Sequence, residues 1–177
     1  MKSGSVLGAV LAGGSSSRFG TDKALAIWEG RTLLDHAIAA LMPVCTTVVV
    51  CGRGRAGALA DRPSADLGPL GGLNAALRLA HDDGYAGVLS CGCDTPLLPA
   101  GLLGQLVGQG SPAYVVELPV IGYWPAALAL ELDVWLAGES DRSIRGWAAS
   151  CRAVRINYAG LSNINRPDDL AALSRHD

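Results

Sequence analysis

Four short segments of the chain carry residues that suit phosphate chemistry. The first is Leu11-Ala-Gly-Gly-Ser-Ser-Ser-Arg-Phe-Gly-Thr-Asp-Lys23. Gly13 and Gly14 let the backbone approach a ligand closely, and successive exposed N–H groups can cradle phosphate oxygens. Arg18 and Lys23 put two positive charges on the same loop. The second segment, Cys91-Gly-Cys-Asp-Thr-Pro96, offers one carboxylate, Asp94. A lone Asp there serves equally as a turn former or helix cap. Beside a phosphate-binding loop it is also where a Mg²⁺ ligand would sit, because Mg²⁺ takes one or two carboxylates with substrate phosphates and waters. The third segment runs from Asp61 to Gly72, with Asp61 and Asp66 able to accept hydrogen bonds from a base or ribose. A fourth, Asn163-Ile-Asn165, precedes a helix signal. There an Asn is an ordinary N-cap or a contact to metal or phosphate.

The first segment, 11–23, carries neither of two better-known phosphate motifs. Gly20 is followed by Thr21 and Asp22, so G-x-x-x-x-G-K-[ST] fails, and G-x-G-x-x-G does not occur in the loop. A P-loop NTPase and a dinucleotide dehydrogenase both lose support.

The loops need elements to hold them. Apolar runs of strand length alternate with helical stripes. Val6–Leu11 reads as a buried first strand, although Lys2 and the apolar run after it superficially resemble a signal peptide. Leu33, Leu34, Ala37, Ile38 and Leu41 form a helical stripe ended by Pro43. The β-branched run 46–50 reads as a strand buried on both faces. A helix over 70–80, opened by Gly68-Pro69, leads to a strand over 86–90. Helices are expected over 99–108, 126–136 and 143–150, and strands over 113–117, 120–123 and 153–156. Pro167, with Asp168 and Asp169, opens a last helix. This alternation predicts a mostly parallel sheet with helices on both faces. Ligands of such sheets bind outside the carboxyl ends of the strands, which selects the loops 12–23, 51–61, 91–98 and 157–166.

Composition narrows the function classes. Of 177 residues, half are hydrophobic and 17% charged, which excludes a disordered chain. The net charge of −2 lacks the basic excess of a duplex-DNA binder. The mean hydropathy of +0.30 raises the question of a membrane span. The longest uncharged stretch, Thr95 to Val116, is broken by Pro96, Pro99 and Pro112 and is unsuited to one. Cys45, Cys51, Cys91, Cys93 and Cys151 form no C-x-x-C pair, and His36, His81 and His176 are scattered. Neither a zinc site nor a disulfide framework is expected, and a reducing, cytoplasmic setting is.

Taken together, the loops resemble those of the molybdenum cofactor guanylyltransferase family, MobA-like members of the wider nucleotidyltransferase group. The matching pieces are Leu11-Ala-Gly-Gly…Arg18-Phe-Gly-x-Asp-Lys23, Gly68-Pro-Leu-x-Gly72, Cys93-Asp-Thr-Pro96 and Asn163-x-Asn-x-Pro-x-x-Leu170, in the family's order. The resemblance implies one nucleotidyltransferase domain over residues 1–177. It implies a three-layer α/β/α fold with a Rossmann-like sheet of the nucleotide-diphospho-sugar transferase type. It also implies a reaction, in which a phosphate of molybdopterin attacks the α-phosphorus of GTP and pyrophosphate leaves, with Mg²⁺ as cofactor. Leu11, Ala12, Gly13, Gly14, Lys23, Asp61 and Asp94 would bind the nucleotide. Arg18, Lys23 and Asp94 would act in catalysis, and Asp94 and Asn165 would hold the metal. GTP and molybdopterin are the implied small-molecule partners, with room for a protein that delivers the cofactor; neither nucleic acid nor membrane is implied.

The chain departs from the family pattern at two places. Cys51 stands where Asn is common after the second strand, and Leu118-Pro119 stands where His-Pro is frequent. Two other readings stay open. One is a different nucleotidyltransferase, using a cytidylyl donor or a sugar phosphate; Gly13-Gly14 and Asp22 favour the guanylyl branch over it. The other is a nucleotide-binding module without turnover, against which Lys23 and Asp94 stand.

Overall fold

Residues 4–12, 22–52, 57–138, 141–164 and 169 are described by a computed structural model of the chain. The first strand, β1 (Val6–Leu11), is wholly buried. A single 3₁₀ turn (Lys23–Leu25) and a small hairpin, β2 (Ile27–Trp28) and β3 (Arg31–Thr32), lead into α1 (Leu33–Leu41). Then follow β4 (Thr47–Cys51), α2 (Pro69–Asp82), β5 (Gly87–Gly92), α3 (Ala100–Gly108), β6 (Ala113–Val115) and β7 (Gly122–Pro125). A second 3₁₀ turn (Ala126–Leu128), α4 (Ala129–Gly138), α5 (Ile144–Ser150) and β8 (Val154–Ile156) complete the described elements.

The main sheet has the order β4-β1-β5-β7-β6-β8. Pairs β1–β4, β1–β5 and β6–β8 are parallel, while β7 runs antiparallel to both its neighbours. The expected mostly parallel α/β architecture is therefore present, and it is the three-layer type. Side chains of β1 alternate between the layers, as the two-residue period of a strand requires. Leu7, Ala9 and Leu11 pack with α2, α4 and α5, whereas Val6 and Val10 pack with α1 and α3.

Local chemistry sets the helix starts. Thr32 Oγ1 accepts from the Asp35 N–H while the Asp35 carboxylate accepts from the Thr32 N–H, a reciprocal cap that opens α1. Gly68 sits at φ 61°, ψ −151°, a conformation close to glycine-only, and turns the chain into Pro69 at the first position of α2.

Three expectations are corrected. The run 46–50 is not buried on both faces: β4 is an edge strand in which only Cys51 is buried. Among the described residues its outer side meets just the Cys51–Leu59 bridge, so Val48, Val49 and Val50 stay half-exposed. The strand expected over 120–123 begins at Gly122 and runs through Trp124 to Pro125. A Cβ at Gly122 would lie 2.8 Å from the Ala113 carbonyl oxygen, so this glycine is the residue that permits close pairing with β6. The strand expected to end at Ser90 continues to Gly92, because β1 offers hydrogen-bonding partners that far. The helix opened by Pro167 falls outside the described residues, apart from Asp169, which is helical.

Candidate functional site

The chain order around β1 creates a cleft. From β1 the chain passes through α1 to β4 on one side, then returns through α2 to β5 on the other. The helices of these two crossovers lie on opposite faces of the sheet. The carboxyl ends of β1 and β5 thus flank the topological switch point, where open α/β sheets bind their ligands. The register places Leu11 opposite Gly92, so the loops that follow both strands emerge side by side.

Leu11 turns its side chain into the core and leaves its backbone at the rim. The Ala12 N–H donates to the Cys51 carbonyl oxygen at 2.8 Å, which ties the start of the first loop to the end of β4. Lys23 opens a 3₁₀ turn whose cap is Asp22, its Oδ1 accepting from the Ala24 N–H. From there Lys23 Nζ donates to Asp94 Oδ2 at 3.4 Å, across 71 residues of chain. The lysine side chain is 14% exposed and the aspartate 30%, so the pair is sheltered but reachable.

Asp94 owes its position to Gly92. A Cβ at Gly92 would fall 2.5 Å from Asp94 Oδ1 and 3.6 Å from Val120 Cγ1. The carboxylate occupies the space that a side chain at 92 would take. The Asp94 carbonyl oxygen also accepts from the Ile164 N–H at 2.8 Å, which brings the Asn163-Ile164 segment to the same rim. Ile164 is anchored in turn by Trp28 and Leu33. Near Asp94 in sequence or through this contact, Thr95 Oγ1 and Asn163 Oδ1 are buried oxygens without a hydrogen-bond partner.

Asp61 lies on the β4 side. Its carboxyl group rests over Gly71 and Gly72 in the first turn of α2, where a Cβ on Gly71 would come within 2.8 Å of Asp61 Cβ. The Arg62 N–H donates to the Gly71 carbonyl oxygen, which holds the loop there. Gly71 and Gly72 make room for Asp61 and for the side chain of Cys51. Cys51 itself is buried among Leu11, Leu67 and Leu70. Burial, with Asp61 nearby, pushes its thiol up to about 12, so it is neutral and faces the core.

The other thiols near the site are equally inert. Burial raises Cys93 to about 11, with the Asp94 charge adding to the rise and Lys23 opposing it. Cys91 is raised by burial still further. Thiolate nucleophiles at neutral pH are thereby excluded at these positions. Among the described residues no three His, Cys, Asp or Glu side chains gather into a cage that would hold a metal by themselves. One exposed-edge carboxylate beside a lysine instead suits a divalent ion shared with phosphate oxygens.

The structure therefore brings Leu11, Ala12, Lys23 and Asp94 to one cleft and Asp61 to its β4 flank. Gly13, Gly14, Arg18 and Asn165 lie outside the described residues. Gly92 and Val120, at the seat of Asp94, were not expected from sequence. For Gly92 a signal existed, a glycine two residues before the single carboxylate; for Val120 only the antiparallel course of β7 reveals the proximity.

Residues 8–152 match the family described as the MobA-like NTP transferase domain. A molybdenum cofactor guanylyltransferase from Xanthomonas euvesicatoria is 38% identical over 178 residues, covering 94% of this chain and 93% of that protein. The structure of molybdopterin-guanine dinucleotide biosynthesis protein A from Archaeoglobus fulgidus superposes with a TM-score of 0.67 at 20% identity, covering 96% of this chain and 97% of that one. A 2-C-methyl-D-erythritol 4-phosphate cytidylyltransferase from Thermus thermophilus gives the same TM-score, 0.67, at 21% identity, with 98% and 99% covered. The fold is thus shared across donors of different bases, while the sequence similarity is to the molybdenum cofactor enzymes. The chain belongs to the MobA-like NTP transferase domain family and is a nucleotidyltransferase.

Proposed function

We propose that this chain, as one nucleotidyltransferase domain over residues 1–177, transfers GMP from GTP to the terminal phosphate of molybdopterin or its molybdenum form. The observation that carries the reading is the Lys23–Asp94 pair at the β1/β5 switch point. A cation and a carboxylate side by side suit a triphosphate and its counter-ion. An acceptor phosphate oxygen forms a bond to the α-phosphorus; the bond from that phosphorus to the bridging oxygen breaks, and pyrophosphate carries the electron pair away. The acceptor is already an anion, so no general base is required. This agrees with the absence of a His at the cleft among the described residues: His36 bonds the Trp28 carbonyl and His81 pairs with Asp82.

The chain's own residues supply position and charge. Alignment and electrostatic stabilisation carry most of the catalysis in such transfers. Lys23 neutralises the phosphates, and Asp61 accepts from the base or ribose on the β4 side. Gly13 and Gly14 complete the phosphate loop, Arg18 meets the charge that develops, and Asn165 adds a contact to metal or phosphate. Asp94 would hold Mg²⁺, which when bound supplies charge neutralisation of the phosphates. The donor set fits that ion: one accessible carboxylate, with the partnerless Asn163 Oδ1 on the adjoining segment. With the nucleotide along β1 and β4, the acceptor approaches Asp94 from the β7 side of β5. The five free thiols fit a reducing setting, which we take as the cytoplasm. No described helix is long and apolar enough to cross a membrane.

The test is a thermal-shift comparison of GTP, CTP, ATP and UTP, each with Mg²⁺. A ligand at 100 times its Kd adds about 2.7 kcal/mol, and each kcal/mol moves the midpoint of such a chain by roughly 2–4 °C. A shift with GTP alone is expected. A shift with CTP instead replaces the guanylyl donor by a cytidylyl one, and no shift with any nucleotide removes the proposal.

Lys23→Ala is expected to weaken GTP binding about 10- to 100-fold, since a hydrogen bond to a charged group contributes about 1.5–3 kcal/mol. Calorimetric titration with GTP and Mg²⁺ measures this, and an unchanged Kd would remove Lys23 from the phosphate site.

A further inference from the structure

A buried polar relay links β5 to the turn that enters β7. Trp124 Nε1 donates to Ser90 Oγ at 3.1 Å. An indole N–H can only donate, so it takes an oxygen lone pair of Ser90 and leaves the serine proton free to be given. The Ser90 hydroxyl donates to the Val120 carbonyl oxygen at 2.8 Å and, at 3.3 Å, to that of Gly122. Ser90 and Trp124 are both fully buried. Such a chain of bonds in a low-dielectric interior is directional and mutually reinforcing.

What the relay holds lies at the catalytic rim. The turn is closed by Ile121 N–H donating to the Leu118 carbonyl oxygen, so fixing the Val120 carbonyl fixes the whole 118–121 turn. Val120 is half-exposed; Asp94 Oδ1 fills the empty Cβ position of Gly92, and Val120 Cγ1 lies in ordinary contact with that position, at 3.6 Å. Ser90 stands only four residues before Asp94, on the strand that delivers it. The same short stretch of β5 thus carries the carboxylate and sets the wall beside it.

We propose that Ser90, oriented by Trp124, is a positioning residue that fixes Val120 and the 116–121 loop as the acceptor-side wall of the site. The inference rests on the reading above, in which the acceptor reaches Asp94 from the β7 side. Ser90 touches neither substrate; it acts through the Val120 carbonyl.

The experiment uses Ser90→Ala in the full chain, with Ser90→Cys as the milder variant of similar size and a weak donor. Steady-state kinetics with GTP and molybdopterin should show the acceptor KM raised about 5- to 20-fold in Ser90→Ala, with the GTP KM within twofold of wild type. Ser90→Cys should fall between. Hydrogen–deuterium exchange without substrate should show faster exchange in 116–121 and unchanged protection in β1. An unaltered acceptor KM overturns the proposal, and so does unaltered exchange in 116–121. A loss of kcat that only tracks the folded fraction, with both KM values unchanged, also overturns it, since a purely structural role would give that result. If wild type itself fails to transfer GMP to molybdopterin, the functional reading fails, and the exchange measurement still decides whether Ser90 holds the loop.

Discussion

Asp94→Asn is expected to lower turnover with GTP and Mg²⁺ by about 10²–10³, the usual cost of losing one preorganised electrostatic group. The substitution keeps the shape of the side chain and removes its charge. Two features argue that the fold will tolerate it. The Asp94 contact that anchors the Asn163-Ile164 segment is made by its main-chain carbonyl, which the substitution does not touch. The carboxylate is also 30% exposed, and an amide oxygen in its place can still accept from Lys23 Nζ. The loss should therefore appear in kcat and in the Mg²⁺ concentration needed for half-maximal rate, with the melting midpoint close to that of wild type. Lys23 would lose its ionic partner at the same time. GTP binding should fall less than turnover, because the lysine charge remains for the phosphates. Near-normal kcat in Asp94→Asn at saturating Mg²⁺ would remove the metal role. The pair would then be a structural ion bridge at the mouth of the sheet.

The site was legible in the sequence to the extent that it is built from short loops after strands. Lys23 stood out as a cation of the Gly-rich loop after the first strand, and Asp94 as the one carboxylate of the loop after β5. Their meeting at 3.4 Å rests on the pairing of β1 with β5; strand–helix alternation predicts its parallel sense but not which strands are neighbours. What sequence reasoning could not supply was the order and sense of the strands in the far half of the sheet. The strand expected over 120–123 stops short of Trp124 and Pro125, because Pro weakens the strand signal there. Tertiary pairing overrides that: Gly122 gives β6 close access, and Trp124 is clamped to Ser90. The antiparallel sense of β7 brings its entering turn to the same edge as the carboxyl ends of β1 and β5, and so places Val120 beside Asp94. Likewise, a β-branched run cannot reveal whether its strand is central or at the edge, since that depends on which strands join later in the chain. The run ending in β4 lies at the edge, and Val48–Val50 are half-exposed for that reason.

Gly92→Ala should then cost activity without costing the fold, and the contrast with another glycine of the same strand makes the point testable. At Gly92 the added methyl would stand 2.5 Å from Asp94 Oδ1, and its next neighbour of another segment is Val120 Cγ1 at 3.6 Å, an ordinary contact. Among the described residues, the only group that must yield is a carboxylate at the end of a side chain, which can rotate. The protein should stay folded while the Asp94 carboxylate oxygen moves by about 1 Å, a displacement that can cost about 10²-fold in rate when alignment is the main source of catalysis. At Gly87 a methyl would meet the Trp124 carbonyl oxygen at 2.7 Å and the Tyr123 ring at 2.8 Å, so backbone and a buried ring must shift. Gly87→Ala should accordingly lower the melting midpoint, while its folded fraction retains turnover. Measuring kcat and melting midpoint for both variants separates the two effects. If Gly92→Ala keeps wild-type kcat while Asp94→Asn is crippled, the carboxylate works from a position other than the one over Gly92. If Gly92→Ala melts as low as Gly87→Ala, the glycine serves packing of the strand and not the seat of Asp94. A fall in kcat alone leaves the seat as the cause: the strand ends in a residue without a side chain because the reacting phosphates need a carboxylate in that volume.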